Sequence, residues 1–92
     1  MSITFEMHYV AGTVRSDAYV RLLSALISVR REAGVSQAAL AEKVGKPPSF
    51  IAKSELGERR LDVVEFLVLA DALGSSLENL WRISGAELPK RL

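Results

Sequence analysis

This sequence predicts a mainly α fold: five short helices packed as one compact domain behind a short N-terminal β-strand or extended arm. Three observations carry that expectation. Apolar residues recur at spacings of three and four in successive short runs from Leu22 onward. Ser, Asp or Pro stands ahead of each run where a helix start is wanted, and Gly34, Gly45, Gly57 and Gly74 follow the first four. The chain of 92 residues is 49% hydrophobic and 25% charged, which supports one buried core and leaves little room for a second.

The arm comes first. Ile3, Phe5, Met7 and Tyr9 alternate with Thr4, Glu6 and His8, the period of a strand with one apolar face. A single strand cannot satisfy its own backbone groups, so it needs a partner from elsewhere in the chain or from a second subunit. Gly12 and Thr13 interrupt the pattern before a short extension to Arg15. Residues 1–15 are therefore read as the arm, 16–83 as the helical domain and 84–92 as a loosely held tail with Gly85, Pro89, Lys90 and Arg91.

In the first helix Ser16 or Asp17 caps the exposed amides, and Leu22, Leu23, Leu26, Ile27 and Arg30 define one face before Gly34 stops it. Ser36 caps the second, residues 37–44, which buries Leu40, Ala41 and Val44 and ends at Gly45. The third, residues 48–56, turns Ile51 and either Ser54 or Glu55 inward and closes at Gly57. Asp62 and Glu65 form a capping box for the fourth, residues 63–73, whose expected buried stripe is Phe66, Leu67, Leu69, Ala70 and Leu73. Ser76 opens a last short helix carrying Leu77, Leu80 and Trp81, with Trp81 expected to close the core.

Several function classes find no support. With no cysteine, disulfides and thiolate metal sites are excluded, and the sole histidine, His8, has no partner with which to complete a metal site. Asp71 and Glu78 lie across an expected helix break and specify no acid–base pair, and Ser24 has no activating base. No enzyme activity and no cofactor are expected. No segment reaches the roughly 20 apolar residues of a membrane span, and the start MSITFEMHYV lacks a basic region followed by a long apolar run, so a cytoplasmic protein is expected.

Net charge is +1, but it is unevenly distributed. Lys43, Lys46, Lys53, Arg59 and Arg60 are set against Glu55 and Glu58, whereas residues 61–80 carry Asp62, Glu65, Asp71 and Glu78 with no basic residue. Such asymmetry suits a face that attracts phosphates, or an ordinary charged surface.

The pattern becomes specific in Arg30, Gly34-Val35-Ser36-Gln37, Leu40-Ala41, Gly45, Ile51-Ala52-Lys53, Glu55, Gly57 and Leu73-Gly74. With these residues the chain resembles the Cro/repressor-type, or XRE-like, helix-turn-helix family, a five-helix lambda-repressor-like fold, over about two thirds of its length. The resemblance implies that the second helix crosses the DNA backbone while the third enters the major groove. It implies that Gln37 contacts phosphate and braces the third helix, and that the Arg30 guanidinium crosses to the Glu55 carboxylate as structural support. Pro47 and Pro48 depart from the family pattern, which often has a Ser or Thr cap followed by a base-reading Gln.

Readout then falls on Ser49, Phe50 and Lys53. Ser49 and Lys53 can hydrogen-bond base edges, and Phe50 either touches a thymine methyl or packs under the loop. Lys46, Arg59 and Arg60 join Gln37 as contacts to the DNA backbone. The resemblance implies sequence-specific binding of double-stranded DNA and regulation of transcription, with a homodimer reading a pseudopalindrome. The arm strand and the last helix each offer a dimer seam. An antitoxin or restriction-system controller is a narrower form of the same reading; the alternative is a protein partner, with the same helical fold serving as an interaction adaptor or antitoxin-like partner-binding protein.

Overall fold

Local capping decides where each helix begins. In the computed structural model, which describes residues 16–92, the helices are α1 (Asp17–Glu32), α2 (Gln37–Lys43), α3 (Pro48–Leu56), α4 (Val63–Ala72) and α5 (Leu77–Ser84). The strand read from Ile3 to Tyr9 lies outside the described residues, among which there is no strand. Ser16 is the cap of α1, its hydroxyl accepting from the Tyr19 amide, while Asp17 sits in the first turn and pairs with Arg21. Ser36 and Ser76 accept in the same way from Ala39 and Asn79. At α4 both halves of the capping box are made: Asp62 accepts from the Glu65 amide and Glu65 from the Asp62 amide.

The turn between α2 and α3 needs glycine. Gly45 has φ +73°, a left-handed conformation that lets the Gly45 and Lys46 amides turn back to the Glu42 and Ala41 carbonyls. Pro47 then caps α3 without a side-chain hydrogen bond, and Pro48 occupies the first helical position, where its missing N–H costs nothing. The first turn is held instead by the Phe50 amide, which donates to the Pro47 carbonyl at 2.9 Å.

Helices of seven to ten residues are marginal alone, so packing must hold them. Leu40 of α2, Ile51 of α3 and Leu80 of α5 are completely enclosed, each contributing about 1.5–3 kcal/mol relative to exposure. Leu23, Ala25 and Leu26 of α1, Ala41 of α2, and Phe66, Leu69 and Ala70 of α4 surround them. The most extensive helix contacts join α2 to α3 and α1 to α5, so the helix-turn-helix is cradled by the rest of the domain. Tyr19 and Leu61 also belong to this core. The Tyr19 side chain connects distant segments: its ring meets Phe66 edge to face at 6.0 Å, and its hydroxyl accepts from the Leu61 amide at 3.0 Å.

Two expected core residues lie elsewhere. Leu67 is 48% exposed, because Phe66, Leu69 and Ala70 fill the inward face and Leu67 falls one helical step outside it. In α5 it is Leu80 that is enclosed, while Trp81, the next residue round the helix, is half-buried. Ser54 of α3 is buried and its hydroxyl donates to the Phe50 carbonyl, whereas Glu55 lies at the edge of that face.

Candidate nucleic-acid interface

A helix that reads DNA must be held firmly on one side and bare on the other. The holding is done at the C-terminal end of α3. Arg30 reaches Glu55 through two bonds, Nε to Oε2 at 2.6 Å and Nη2 to Oε1 at 2.9 Å. Its third nitrogen, Nη1, donates to the Val35 carbonyl at 2.8 Å. Gln37 completes the cluster by donating from Nε2 to Glu55 Oε1 at 2.8 Å. Glu55 thus ties α3 to α1 and α2, and Arg30 Nη1 adds the α1–α2 loop. Both charged side chains are nearly enclosed, at 8% and 9% exposure, so neither is tolerable without the other.

The opposite side of α3 is open. Ser49 and Lys53, four residues apart and therefore stacked on one face, are both exposed. Ala52 lies beside them half-buried, and Leu56 continues the same side at the end of the helix. Sequence reasoning gave neither residue a part in this surface, although their spacing of three and seven from Ser49 carries the signal.

Phe50 lies between the two sides. It packs half-buried against the core, and its ring carries two cations: the Arg59 guanidinium lies 4.3 Å from the ring centroid and Lys46 Nζ 5.3 Å. Arg59 is also gripped by Glu65, Nη1 to Oε1 at 3.2 Å and Nη2 to Oε2 at 3.0 Å. That guanidinium, with the Asp62 amide, holds the Glu65 carboxyl below its ordinary range, and Glu65 in return raises Arg59. Arg60 stacks over the Tyr19 ring at 4.1 Å. Lys46 and Arg59 are therefore gathered at one point beside the start of α3, and Arg60 rests on a separate aromatic platform. Tyr19, 41 positions from Arg60, gave no sign of this in the sequence.

Among the described residues no group of three or more His, Cys, Asp or Glu side chains gathers to hold a metal, and no helix is long and apolar enough to cross a membrane. Two helices joined by a glycine turn, the second bolted at its end and bare along its face, define a helix-turn-helix domain.

Comparison with known proteins agrees. A helix-turn-helix family model matches residues 26–80. The solved structure of an XRE-family like protein from Pseudomonas syringae pv. tomato str. DC3000 is 39% identical, covering 78% of this chain and 88% of that one with a TM-score of 0.70. No curated protein matches. The chain belongs to the XRE-like helix-turn-helix family, a family of DNA-binding regulators.

Proposed function

We propose that this protein binds double-stranded DNA sequence-specifically and regulates transcription as a homodimer, with α3 in the major groove. The observation that carries this reading is the exposed Ser49 and Lys53 pair on a helix whose other side is fixed by Arg30, Glu55 and Gln37. Ser49 and Lys53 are the base readers, because each can exchange hydrogen bonds with groove edges. Phe50 borders them, near enough to meet a thymine methyl while its ring steadies Lys46 and Arg59.

Lys46, Arg59, Arg60 and Gln37 set the depth of α3 by contacting phosphates. Of these, Arg59 is already neutralised by Glu65, so its contribution depends on sharing its guanidinium between carboxylate and phosphate. A module of this size presents about 600–1,000 Å² to DNA, which favours two copies on half-sites about 34 Å apart.

Selection of bound duplexes from a random library tests the reading. A two-fold motif whose binding falls steeply with salt is the expected result. Equal affinity for selected and scrambled duplexes at moderate salt would reject it.

A further inference from the structure

The cap of α4 accounts for only part of what Glu65 does. Its Oε1 accepts from the Asp62 amide at 3.0 Å, which completes the capping box, and a glutamine would serve that end as well. Oε2 takes no part in the cap. It accepts from Arg59 Nη2 at 3.0 Å while Oε1 also accepts from Nη1 at 3.2 Å, so the carboxylate holds the end of the guanidinium with both oxygens. The Phe50 ring lies against the same guanidinium, 4.3 Å from centroid to Cζ.

Arg59 is thereby fixed without being used up. Of the five N–H donors of a guanidinium, one on Nη1 and one on Nη2 serve Glu65, and Nε has no hydrogen-bond partner among the described residues. Nε–H and the second hydrogen of Nη2 lie parallel along one edge, the geometry that takes two oxygens of a phosphate. Phe50 belongs to the first turn of α3, so this edge stands beside the end of the helix that carries Ser49.

We propose that Glu65 is a positioning residue that sets sequence specificity, holding Arg59 in the one orientation that matches α3 seated at its bases; the inference rests on the DNA-binding reading. A complex on a scrambled sequence asks only that cations lie near phosphates, and an unanchored Arg59 meets that need in many orientations. A complex on a selected sequence asks for α3 at one depth, and an anchored guanidinium supplies it without ordering at the moment of binding. The carboxylate also repels every duplex alike. Glu65 therefore weakens binding to all sequences while aligning α3 on the right one, which widens the difference between them.

Two substitutions separate alignment from charge. Glu65→Gln keeps the cap and releases Arg59, whereas Glu58→Gln, at an exposed position next to Arg59, removes the same charge and leaves the Glu65 contact in place. Both are made in the full chain, with and without Arg59→Ala, and circular dichroism checks that each is folded. Fluorescence anisotropy then gives Kd on a selected duplex and on its scrambled counterpart.

Glu65→Gln is expected to bind the scrambled duplex at least as tightly as the unmodified chain, while its preference for the selected duplex falls about tenfold. Glu58→Gln should leave that preference within about twofold, because added charge favours both duplexes. With Arg59→Ala present, Glu65→Gln should no longer change the preference.

A preference retained in full by Glu65→Gln overturns the proposal. So does an equal fall in Glu58→Gln, which makes charge alone the cause, and so does a fall that persists without Arg59 or is accompanied by weaker binding to scrambled DNA, which marks damage around α4. An unmodified chain with equal affinity for the two duplexes sinks the DNA-binding reading itself, an outcome seen before any substitution is made and so distinct from the others.

Discussion

Replacing Glu55 by Met should unfold this protein far more readily than its place at the edge of α3 suggests. The substitution leaves the Arg30 guanidinium, 8% exposed, with only the Val35 carbonyl as an acceptor, and takes from Gln37 its carboxylate partner. Breaking a buried ion pair from one side costs about 3–5 kcal/mol, with little screening by solvent at this depth. Against a total of about 5–15 kcal/mol, that is a large fraction of the stability. At about 4–8 °C per kcal/mol, Tm should fall by at least about 12 °C.

Arg30→Met should cost a similar amount, because it strands the carboxylate instead. The double variant should recover to within about 2 kcal/mol of the native chain, since two thioethers of similar volume fill the site without a buried charge. Urea denaturation followed by circular dichroism at 222 nm measures all four corners of this cycle. Single losses below about 1 kcal/mol, or a double loss equal to their sum, would refute the argument that the two charges need each other.

Other expectations rest on different contacts. Glu65 has a folded-state value below its unfolded one, so its contribution is present at neutral pH and disappears as pH falls through and below the ordinary carboxylate range. The native chain should exceed Glu65→Gln by about 1 kcal/mol or less at pH 7, as befits a half-exposed pair, and urea curves should show that margin closing toward pH 3. A constant margin would remove the Arg59 contact as its source. Gly45→Ala should cost about 1–2 kcal/mol through backbone strain alone, since a Cβ there meets nothing within 4 Å; an unchanged Tm would contradict the left-handed turn. Tyr19→Phe removes the acceptor for the buried Leu61 amide and should cost about 1–3 kcal/mol, so a change within error would mean that the amide finds another acceptor. On selected duplexes, Lys53→Ala should relax preference at particular bases by about 1–3 kcal/mol, while Arg60→Ala should weaken all sequences evenly. Uniform loss in both variants would reject that division of roles.

Features set by near neighbours were legible in the sequence. Four of the five helices begin at residues whose side chains cap them, α3 begins at Pro48 behind an uncapped Pro47, and Asp62 with Glu65 is readable as a box because both partners sit within one turn. The phase of α4 was not. Val63, Val64, Phe66, Leu67, Val68, Leu69 and Ala70 offer an apolar residue in almost every direction, so periodicity alone could not say whether Leu67 faces inward. Arg30 and Glu55 were singled out together through the family resemblance, but no local rule adds the Val35 carbonyl to that cluster.

By itself, then, the sequence determined the helix boundaries, the glycine turn and the family, because these depend on residues a few positions apart. The tertiary structure alone decided which face of α4 is open, that Phe50 carries Lys46 and Arg59, and that Tyr19 supports both Leu61 and Arg60. Those choices arise where helices converge from distant parts of the chain. There a side chain's partners are set by which surfaces meet, a quantity that local spacing does not contain.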